Sequence, residues 1–534
     1  MAFMTESERA FARAISELAL CNPFLPERIE AERRALGARF VPTGPVWHTR
    51  PVPLDVNPNV ARLAERAATL ADKLRERLAA GADPGPDRAL YEDLVTYLLY
   101  HRVEPALYTL VVGDGASTGR LGFYPQFARE VRRYLDFRAL GAPGSATPIV
   151  AAAGSTSRSA AAAPPPAPLD APHLLAFFFQ IRRAFHFTIE NILGGSLPAA
   201  RLRAAVWQAI FTRDMRRYRR GLHQRMHDIT TLIVGPTGTG KELVAQAIGL
   251  SRYIPVDPAA ERFTEDFRGA FYALNLSALP STLIESELFG HRKGSFTGAV
   301  DHHPGWLEVC PPLGTVFLDE IAEIDTAIQV KLLRVLQSRT FQRVGDTRER
   351  RFQGKIIAAT NRDLAAEMQA GRFRPDLYYR LCADVIETPS LEAQLREAPD
   401  ELPHLLRFLA RRIAGEAEAE ALAGEAEAWI SAHLGPDYRW PGNVRELEQC
   451  VRNVMIRGEY RPARPAPAGV REECAQAFLA GALSTEEMLR RYVTLVFART
   501  GSYVETARRL GIDRRTVKDK VDAGLLERLR AAGG

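Results

Sequence analysis

A glycine-rich loop between an apolar run and a helical run constrains this chain more than any other feature of its sequence. Residues 233–234 precede the loop, and the run LVAQAIGL follows it. The loop consists of Gly235, Pro236, Thr237, Gly238, Thr239, Gly240, Lys241 and Glu242. Glycines let backbone N–H groups turn towards an anion, the helix end adds positive potential, and Lys241 reaches outer phosphates. The pattern predicts a strand, a phosphate-binding loop and a helix in succession.

Short apolar or β-branched runs recur after this loop and alternate with helical segments. They lie at 230–234, 271–275, 315–318 and 355–359. Strands that alternate with helices predict a parallel sheet flanked by helices. We therefore assign 229–395 to an α/β nucleotide-binding domain of the P-loop class and 396–460 to a helical lid.

Acidic and amide side chains follow two of these predicted strands. Asp319 and Glu320 end the third run, and Asn361 ends the fourth. At the carboxyl edge of the sheet, Asp319 is placed to bind Mg²⁺ and Glu320 to orient a water that attacks ATP. Asn361 either contacts the γ-phosphate or the water, or caps the next helix. Glu242 replaces the Ser or Thr that usually helps to hold Mg²⁺, so the metal must depend on other ligands.

Two arginines, Arg374 and Arg380, stand six positions apart near the predicted edge of the sheet. Arginines offered across a subunit boundary can stabilise charge on a transferring phosphoryl group. Alone, two arginines near a helix would be unremarkable.

The set resembles the central domain of bacterial enhancer-binding proteins, the AAA+ activators of sigma-54 RNA polymerase. The resemblance covers about 200–460, and its most specific part is the segment ESELFGHRKGSFTGA at 285–299. Within that segment, the loop that engages sigma-54 in the family corresponds to Gly294, Ser295, Phe296, Thr297, Gly298 and Ala299. Ser295 stands where the family usually has Ala. Glycine hinges should leave Phe296 and Thr297 at an exposed tip.

The resemblance implies a ring of subunits, hexameric in the family, with ATP and Mg²⁺ held between neighbours. It implies that Asn275 is a switch residue paired with the catalytic Glu320, and that Arg374 and Arg380 act in trans. It also implies that Arg445 is a nucleotide sensor in the lid. The junction PSLEAQLR at 389–396 departs from the family pattern, which leaves the lid geometry open.

The regions before residue 229 carry no motif of comparable specificity. Residues 1–140 show leucines at helical spacing and predict a mostly helical regulatory region, or a plain interaction domain, whose ligand is not readable. Residues 141–172 are rich in Ala, Pro, Gly and Ser, and predict a flexible linker that isolates 1–140 from the rest. A helical connector is expected at 173–228, and its arginine run at 213–220 is expected to be a solvated face, with phosphate binding as the alternative.

Residues 461–534 end in a segment, 503–522, that predicts two short helices meeting at Gly511. Asp513 is a plausible N-cap for the second helix. A generic helical hairpin is the alternative, but the segment resembles the Fis-type helix-turn-helix of these activators. On that helix we expect four side chains to contact DNA, namely Arg514, Arg515, Thr516 and Lys518.

The composition fits a cytoplasmic protein that does not enter a membrane. Its five scattered cysteines suggest neither a disulfide framework nor a zinc site, and no apolar run is long enough to span a bilayer. The predicted function is an ATPase that activates sigma-54-dependent transcription from upstream double-stranded DNA. The alternatives are an AAA+ remodeller of another class and a DNA-binding repressor that senses ATP without turnover.

Overall fold

The computed structural model describes residues 3–42, 58–137, 169–462, 470–479 and 481–531, which fall into two compact units, Met1–Gly458 and Glu459–Gly534. Most of the linker predicted at 141–172 therefore lies outside the described residues. Its last four residues, 169–172, are described, and the final two of them belong to a helix that begins at Ala171.

The N-terminal region is helical, as its leucine spacing predicts. Leu63, Leu70, Leu74 and Leu78 occupy one buried face of the third helix. Pro105 lies within the fourth helix. The helices are α1 (Glu6–Leu20), α2 (Glu27–Leu36), α3 (Pro58–Ala79), α4 (Arg88–Val112) and α5 (Tyr124–Leu135).

The connector forms three helices, α6 (Ala171–Asn191), α7 (Leu197–Phe211) and α8 (Met215–Arg220). Asp170 caps α6 by accepting a hydrogen bond from the His173 N–H. Helix α6 is apolar around most of its circumference and is correspondingly buried, because N-terminal helices cover one side and the ATPase domain covers another. It packs against α4, α5 and α7 and against the helix that follows the phosphate loop.

The predicted isolation of 1–140 is wrong, because this region packs on the rest of its unit. One continuous hydrophobic core runs from Phe3 through α6 to the sheet of the ATPase domain. At the contact with that domain, the Arg268 guanidinium donates hydrogen bonds to the carbonyls of Leu110 and Gly113, at 2.9 and 2.6 Å. Helices α4 and α6 remove their apolar surfaces from water by packing against each other. The composition of the linker between them gives no indication of this contact.

The prediction of a solvated arginine face at 213–220 is also wrong for part of the run. Arg219 is 8% exposed, and both Arg219 and Arg216 form ion pairs with the buried Asp93 of α4. The run thus joins the connector to the N-terminal helices.

The ATPase domain is built on a parallel sheet, which confirms the predicted fold class. In the described residues this sheet has five strands in the order β11-β1-β10-β7-β4, and every neighbouring pair is parallel. The strands of the domain are β1 (Thr231–Val234), β2 (Val256–Asp257), β3 (Arg262–Phe263), β4 (Phe271–Asn275), β5 (Gly290–His291), β6 (His303–Pro304), β7 (Thr315–Asp319), β8 (Thr340–Phe341), β9 (Arg350–Arg351), β10 (Lys355–Thr360) and β11 (Asp384–Glu387). The flanking helices are α9 (Lys241–Gly249), α10 (Ser281–Phe289), α11 (Trp306–Val309), α12 (Thr326–Ser338), α13 (Leu364–Gln369) and α14 (Pro375–Leu381).

Four further helices follow the sheet and form the lid. They are α15 (Leu391–Glu397), α16 (Glu401–Ala414), α17 (Ala419–His433) and α18 (Asn443–Arg457). The second unit contains α19 (Val470–Leu479), α20 (Thr485–Thr500), α21 (Tyr503–Leu510), α22 (Arg514–Lys520) and α23 (Ala523–Ala531). Among the described helices, none has the length and apolarity needed to cross a bilayer.

Candidate nucleotide site and associated loop

The phosphate loop after β1 adopts a backbone that requires glycine at two tight approaches. Gly235 and Gly238 have positive φ angles of 147° and 80°. A Cβ on Gly235 would lie 2.2 Å from the Thr388 Oγ1, and a Cβ on Gly238 would lie 2.2 Å from the carbonyl oxygen of Gly442. Because these two glycines have no Cβ, Thr388 at the end of β11 and Gly442 of the lid can approach the phosphate loop closely.

Lys241 is the first residue of α9 and is 8% exposed. Its Nζ donates hydrogen bonds to the carbonyls of Gly235 and Pro236, at 3.1 and 3.3 Å. Burial lowers the pKa of Lys241, and the carboxylates of Glu320 and Asp319 act against that shift. The Lys241 ammonium and both carboxylates line one cleft of about 400 Å³, together with other residues of the phosphate loop such as Thr237.

The acids predicted at 319 and 320 lie where the sheet requires them. The parallel register sets Asp319 at the end of β7 directly beside Asn275 at the end of β4. Burial raises the pKa of Asp319, and the nearby Lys241 opposes this shift. Glu320 has φ 55°, in the left-handed region, which is a strained backbone for a residue with a side chain. The strain turns the chain out of β7 at the point where Glu320 faces the cleft.

The donors around the phosphate loop suit Mg²⁺, which prefers oxygen ligands and binds through few protein carboxylates plus phosphate oxygens. Asp319 is a half-buried carboxylate that lines the cleft beside Lys241. Glu242 lies at the exposed start of α9, and its charge contributes to raising the pKa of Asp319. Within the described residues, no cluster of three or more His, Cys, Asp or Glu side chains forms a metal cage. A Mg²⁺ held by Asp319 and by nucleotide oxygens fits this arrangement.

Asn361 bridges Glu320, which follows β7, and Thr237 of the phosphate loop. Its Nδ2 donates to the Thr237 Oγ1 at 2.9 Å, and its backbone N–H donates to the Glu320 Oε2 at 3.2 Å. Asp363, and not Asn361, caps the following helix α13. The capping alternative for Asn361 is therefore wrong, and its side chain is directed to the phosphate loop.

Asn275 lines the cleft but does not make the predicted pair with Glu320 in this structure. Its Oδ1 accepts hydrogen bonds from the backbone N–H and the hydroxyl of Ser277, at 3.0 and 2.8 Å. Asn275 thereby caps the short 3₁₀ turn that leads from β4 towards α10. The carboxylate of Glu320 instead accepts from Asn361.

The lid reaches the phosphate loop through a residue that sequence reasoning did not assign. The Asn443 Nδ2 donates to the carbonyl of Thr237 at 2.9 Å, and its Oδ1 accepts from the Leu391 N–H at 2.8 Å. Asn443 has φ 53°, a conformation that asparagine tolerates better than most residues. Its place inside the motif WPGNVREL was the available signal. Arg445, two residues later, lines the cleft as predicted for a lid residue near the nucleotide.

The two arginines expected to act in trans lie outside the cleft of their own subunit. Arg374 is the N-cap residue of α14 and forms an ion pair with Asp376 at 2.7 Å. Arg380 lies near the end of the same helix and is exposed. Neither lines the cleft that contains Lys241 and Glu320. The single chain does not bring these arginines to its own nucleotide site.

The segment 294–299 forms a tight loop between β5 and β6. Gly294 and Gly298 have φ angles of 78° and 105°, and the Gly294 N–H donates to the carbonyl of Ala299 at 2.9 Å. Phe296 is 38% exposed and meets the His291 ring edge to face, with centroids 5.0 Å apart. Thr297 is also exposed, which agrees with the predicted tip, whereas Ala299 is buried.

A second loop, at 342–349, supports the base of this tip. The Arg292 N–H donates to the carbonyl of Val344 at 3.0 Å, and the Val344 N–H donates to the carbonyl of Gly290 at 2.8 Å. A Cβ on Gly345 would lie 2.6 Å from the Cβ of Ser295. Among the described residues, the buried Ser295 Oγ has no hydrogen-bond partner, so the hydroxyl adds no stabilising contact there at the position where it replaces Ala.

Residues 211–387 match the family described as the sigma-54 interaction domain, and residues 396–462 match the AAA+ ATPase lid domain. The part of this chain from 211 to 462 therefore carries a sigma-54 interaction domain followed by an AAA+ ATPase lid domain.

Relatives with curated descriptions agree with the family. The Nif-specific regulatory protein of Azotobacter vinelandii is 46% identical over 230 residues, which cover 43% of this chain and 40% of that protein. The transcriptional regulatory protein ZraR of Klebsiella oxytoca is 40% identical over 300 residues, which cover 55% of this chain and 63% of that protein. The match thus spans about two fifths to three fifths of these relatives. A crystal structure of NtrX from Brucella abortus with ATP is 25% identical and covers 69% of this chain and 77% of that chain, with a TM-score of 0.38.

The second unit of the chain contains the two short helices predicted around Gly511. Gly511 ends α21 with φ 66°, and the Asp513 side chain accepts from the Arg515 N–H at 2.6 Å, which caps α22. Val517, on the inner face of α22, is fully buried. Four side chains were predicted to contact DNA, and of these Arg514, Arg515 and Lys518 are exposed and Thr516 is half-buried. Lys520 is held by Glu486 of α20 at 3.0 Å.

Proposed function

We propose that this chain hydrolyses ATP between neighbouring subunits of a ring, hexameric as in its family, in the cytoplasm. The energy acts through the loop at 294–299 to remodel a closed complex of sigma-54 RNA polymerase. The C-terminal unit holds the ring on double-stranded DNA upstream of the promoter, through Arg514, Arg515, Thr516 and Lys518. The family assignment supports the polymerase as the partner.

The observation that carries this proposal is a short stretch of chain between the nucleotide cleft and the loop. Asn275 and Ser277 line the cleft at the end of β4. Helix α10 begins four residues after Ser277 and ends at Phe289, where β5 leads directly into the loop. The Ser286 hydroxyl and the His291 Nδ1, 2.7 Å apart, fix the end of α10 to the start of the loop strand. A change at Asn275 is therefore transmitted by one helix of nine residues.

The chemistry follows from the charges already in the cleft. Bound Mg²⁺ neutralises phosphate charge, and Asp319 would hold it. Lys241 binds the outer phosphates, and Glu320, fixed by the Asn361 N–H, orients the attacking water. Asn361 stays in contact with the Thr237 side of the phosphate loop. Arg374 and Arg380 of a neighbouring subunit complete the site: Arg380 is exposed, and Arg374 is half-buried and pairs with Asp376 outside the cleft of its own chain.

Open-complex formation by sigma-54 polymerase with ATP tests the role of the loop. We expect Thr297→Ala to reduce open complexes at least tenfold while ATP hydrolysis by the ring stays within about threefold, since the threonine is exposed and distant from the cleft. Thr326→Ala is the matched control, because Thr326 is an exposed threonine at the start of α12.

Full open-complex formation by Thr297→Ala would contradict the role of the loop. ATPase stimulation by DNA alone, without sigma-54, would favour a nucleic-acid remodeller of another AAA+ class. Absence of turnover at concentrations that form rings would favour a repressor that senses ATP.

A further inference from the structure

A second large cavity lies at the opposite edge of the sheet from the nucleotide cleft. It has a volume of about 770 Å³ and is lined by residues from α6 and α8, the 222–228 segment, the end of α9 and the start of β10. This volume is in the range of cavities that bind small molecules. The strands β7 and β10 begin here and end at Asp319 and Thr360, so the whole depth of the sheet separates the two cavities.

The lining of this cavity carries more positive than negative side chains, even though one of its cations, Arg219, is paired with Asp93 outside the lining. Among the described residues, its lining contains seven Arg or Lys side chains and two Asp side chains. The cations come from separate stretches of chain between α8 and β10, and they are Arg219, Arg220, Arg225, Arg252, Arg339, Arg351 and Lys355. The two acids are Asp170, which caps α6, and Asp228, which pairs with Arg339 at 3.2 Å.

Two of the deepest cations are held by backbone carbonyls instead of carboxylates. Lys355 is 3% exposed, and its Nζ donates to the carbonyl of Ile229 at 2.6 Å. The Arg252 guanidinium donates to the carbonyls of Pro312, at 3.1 Å, and Gly314. Within the described part of the chain, neither of them has a carboxylate at ion-pair distance. Carboxylates act on these two cations only at longer range, Asp384 on Lys355 and Glu265 on Arg252, so an anion bound in the cavity would be favourably placed.

One wall of the same cavity is aromatic. The rings of His173, His223 and Tyr253 pack together, with centroids 4.4 to 5.6 Å apart. The Tyr253 hydroxyl lies 2.7 Å from the His173 Nδ1. Burial lowers the pKa of both histidines, so they are neutral at pH 7 and leave the positive charge to Arg and Lys.

We propose that this cavity binds a small polyanion, a molecule with two or more phosphate groups. Its concave shape and its buried lysine favour a compact ligand over the backbone of a nucleic-acid duplex, which could not reach Lys355. Three cations at the rim, Arg220, Arg225 and Arg351, are exposed and would meet the outer charges of the ligand. The deep cations Arg252 and Lys355 would meet its inner charges.

The test is isothermal titration calorimetry with inorganic pyrophosphate on the full chain carrying Lys241→Ala. That background removes the lysine of the phosphate loop, so that heat from the nucleotide cleft does not enter. We expect one pyrophosphate per chain, and we expect Arg220→Ala, Arg225→Ala and Arg351→Ala together to weaken binding at least tenfold. The matched control removes three exposed arginines elsewhere, with Arg129→Ala, Arg132→Ala and Arg201→Ala, and should change affinity less than twofold.

Equal weakening in the rim variant and the control would overturn the proposal, because only overall charge would then matter. Failure of pyrophosphate to bind the Lys241→Ala chain would overturn it as well. A parallel titration with ADP, compared with pyrophosphate, separates two sources of the diphosphate. Tighter binding of ADP that is lost in the rim variant assigns the aromatic wall to a nucleotide base, whereas equal binding of the two assigns the cavity to the phosphate groups alone. These results do not depend on the role of the loop at 294–299, because no polymerase is present.

Discussion

The two edges of the central sheet differ in how their chemistry is assembled. At the carboxyl edge, Lys241, Asp319 and Glu320 face one cleft, with a strained backbone and opposite charges in balance. At the amino edge, cations outnumber acids, and carbonyls hold Lys355 and Arg252. The cleft at the first edge holds side chains of both signs, whereas the cavity at the second edge holds mostly cations. In the two proposals made above, one sheet thus supports an ATP-hydrolysing site at one edge and a polyanion site at the other.

The largest effect is expected from a substitution that impairs only the nucleotide cleft at the carboxyl edge of the sheet. We expect Glu320→Gln to lower the ATPase rate by about 10²-fold or more, because it removes the carboxylate that orients the attacking water while it keeps the shape of the side chain. Steady-state phosphate release measures the rate, and fluorescent ATP binding should be retained. Pyrophosphate binding at the amino edge should be unchanged.

Glu425→Gln serves as the control for this substitution, since Glu425 is exposed in α17. Hydrolysis by Glu320→Gln at more than a third of the parent rate would remove Glu320 from the mechanism.

An intermediate effect is expected where the lid meets the phosphate loop. Gly238→Ala would place a Cβ 2.2 Å from the Gly442 carbonyl oxygen, so the loop and the lid must separate. We expect ATP affinity to fall about tenfold, which corresponds to about 1.4 kcal/mol. Equilibrium titration with ATP checks this at a magnesium concentration that saturates the nucleotide.

Gly269→Ala separates the clash from backbone strain. Gly269 has a similar φ of 73° but open space around its Cβ position. Gly269→Ala should lower only the free energy of unfolding, by about 1 kcal/mol, because a side chain is unfavourable in the left-handed region. If both variants bind ATP equally, the contact between loop and lid is not what sets the affinity.

The smallest effect concerns the cost of charge at the amino edge. Burial lowers the pKa of Lys355 from 10.5 to about 7. Below pH 7 the folded state carries the full cost of a buried ammonium, and that cost declines as the pH rises from 7 towards 10.5. We therefore expect Lys355→Met to stabilise the unliganded protein by about 1 kcal/mol at pH 6.5, after allowance for the lost hydrogen bond to Ile229, and less at pH 9.5.

Urea unfolding at the two pH values measures this difference. Lys293→Met, at an exposed lysine, should show no dependence on pH. A gain for Lys355→Met that is equal at pH 6.5 and 9.5 would mean that packing, and not charge, is responsible.

The two edges also differ in what the sequence could predict. The phosphate loop, Asp319, Glu320 and the parallel strands are local patterns, and each is fixed by a few adjacent residues whose backbone geometry follows from their types. The cavity at the amino edge takes its cations from separate segments, so no local pattern contains it. Asn443 was missed for a related reason: its contact with Thr237 depends on how the lid closes on the loop. The burial of Arg219 depends in the same way on Asp93, more than a hundred residues earlier.

Helix α6 gives the N-terminal region a role in folding as well as in any regulation. Its Phe178 ring is almost completely buried and packs against Tyr100 of α4 and Phe127 of α5. A chain shortened to begin at residue 173 would lose these partners and present this ring to water, and the hydrophobic effect would then favour self-association. A change of activity on such a truncation would report on solubility as much as on release from inhibition. Point substitutions at the Arg268 contact with α4 leave α6 covered and are therefore the cleaner test of regulation by this region.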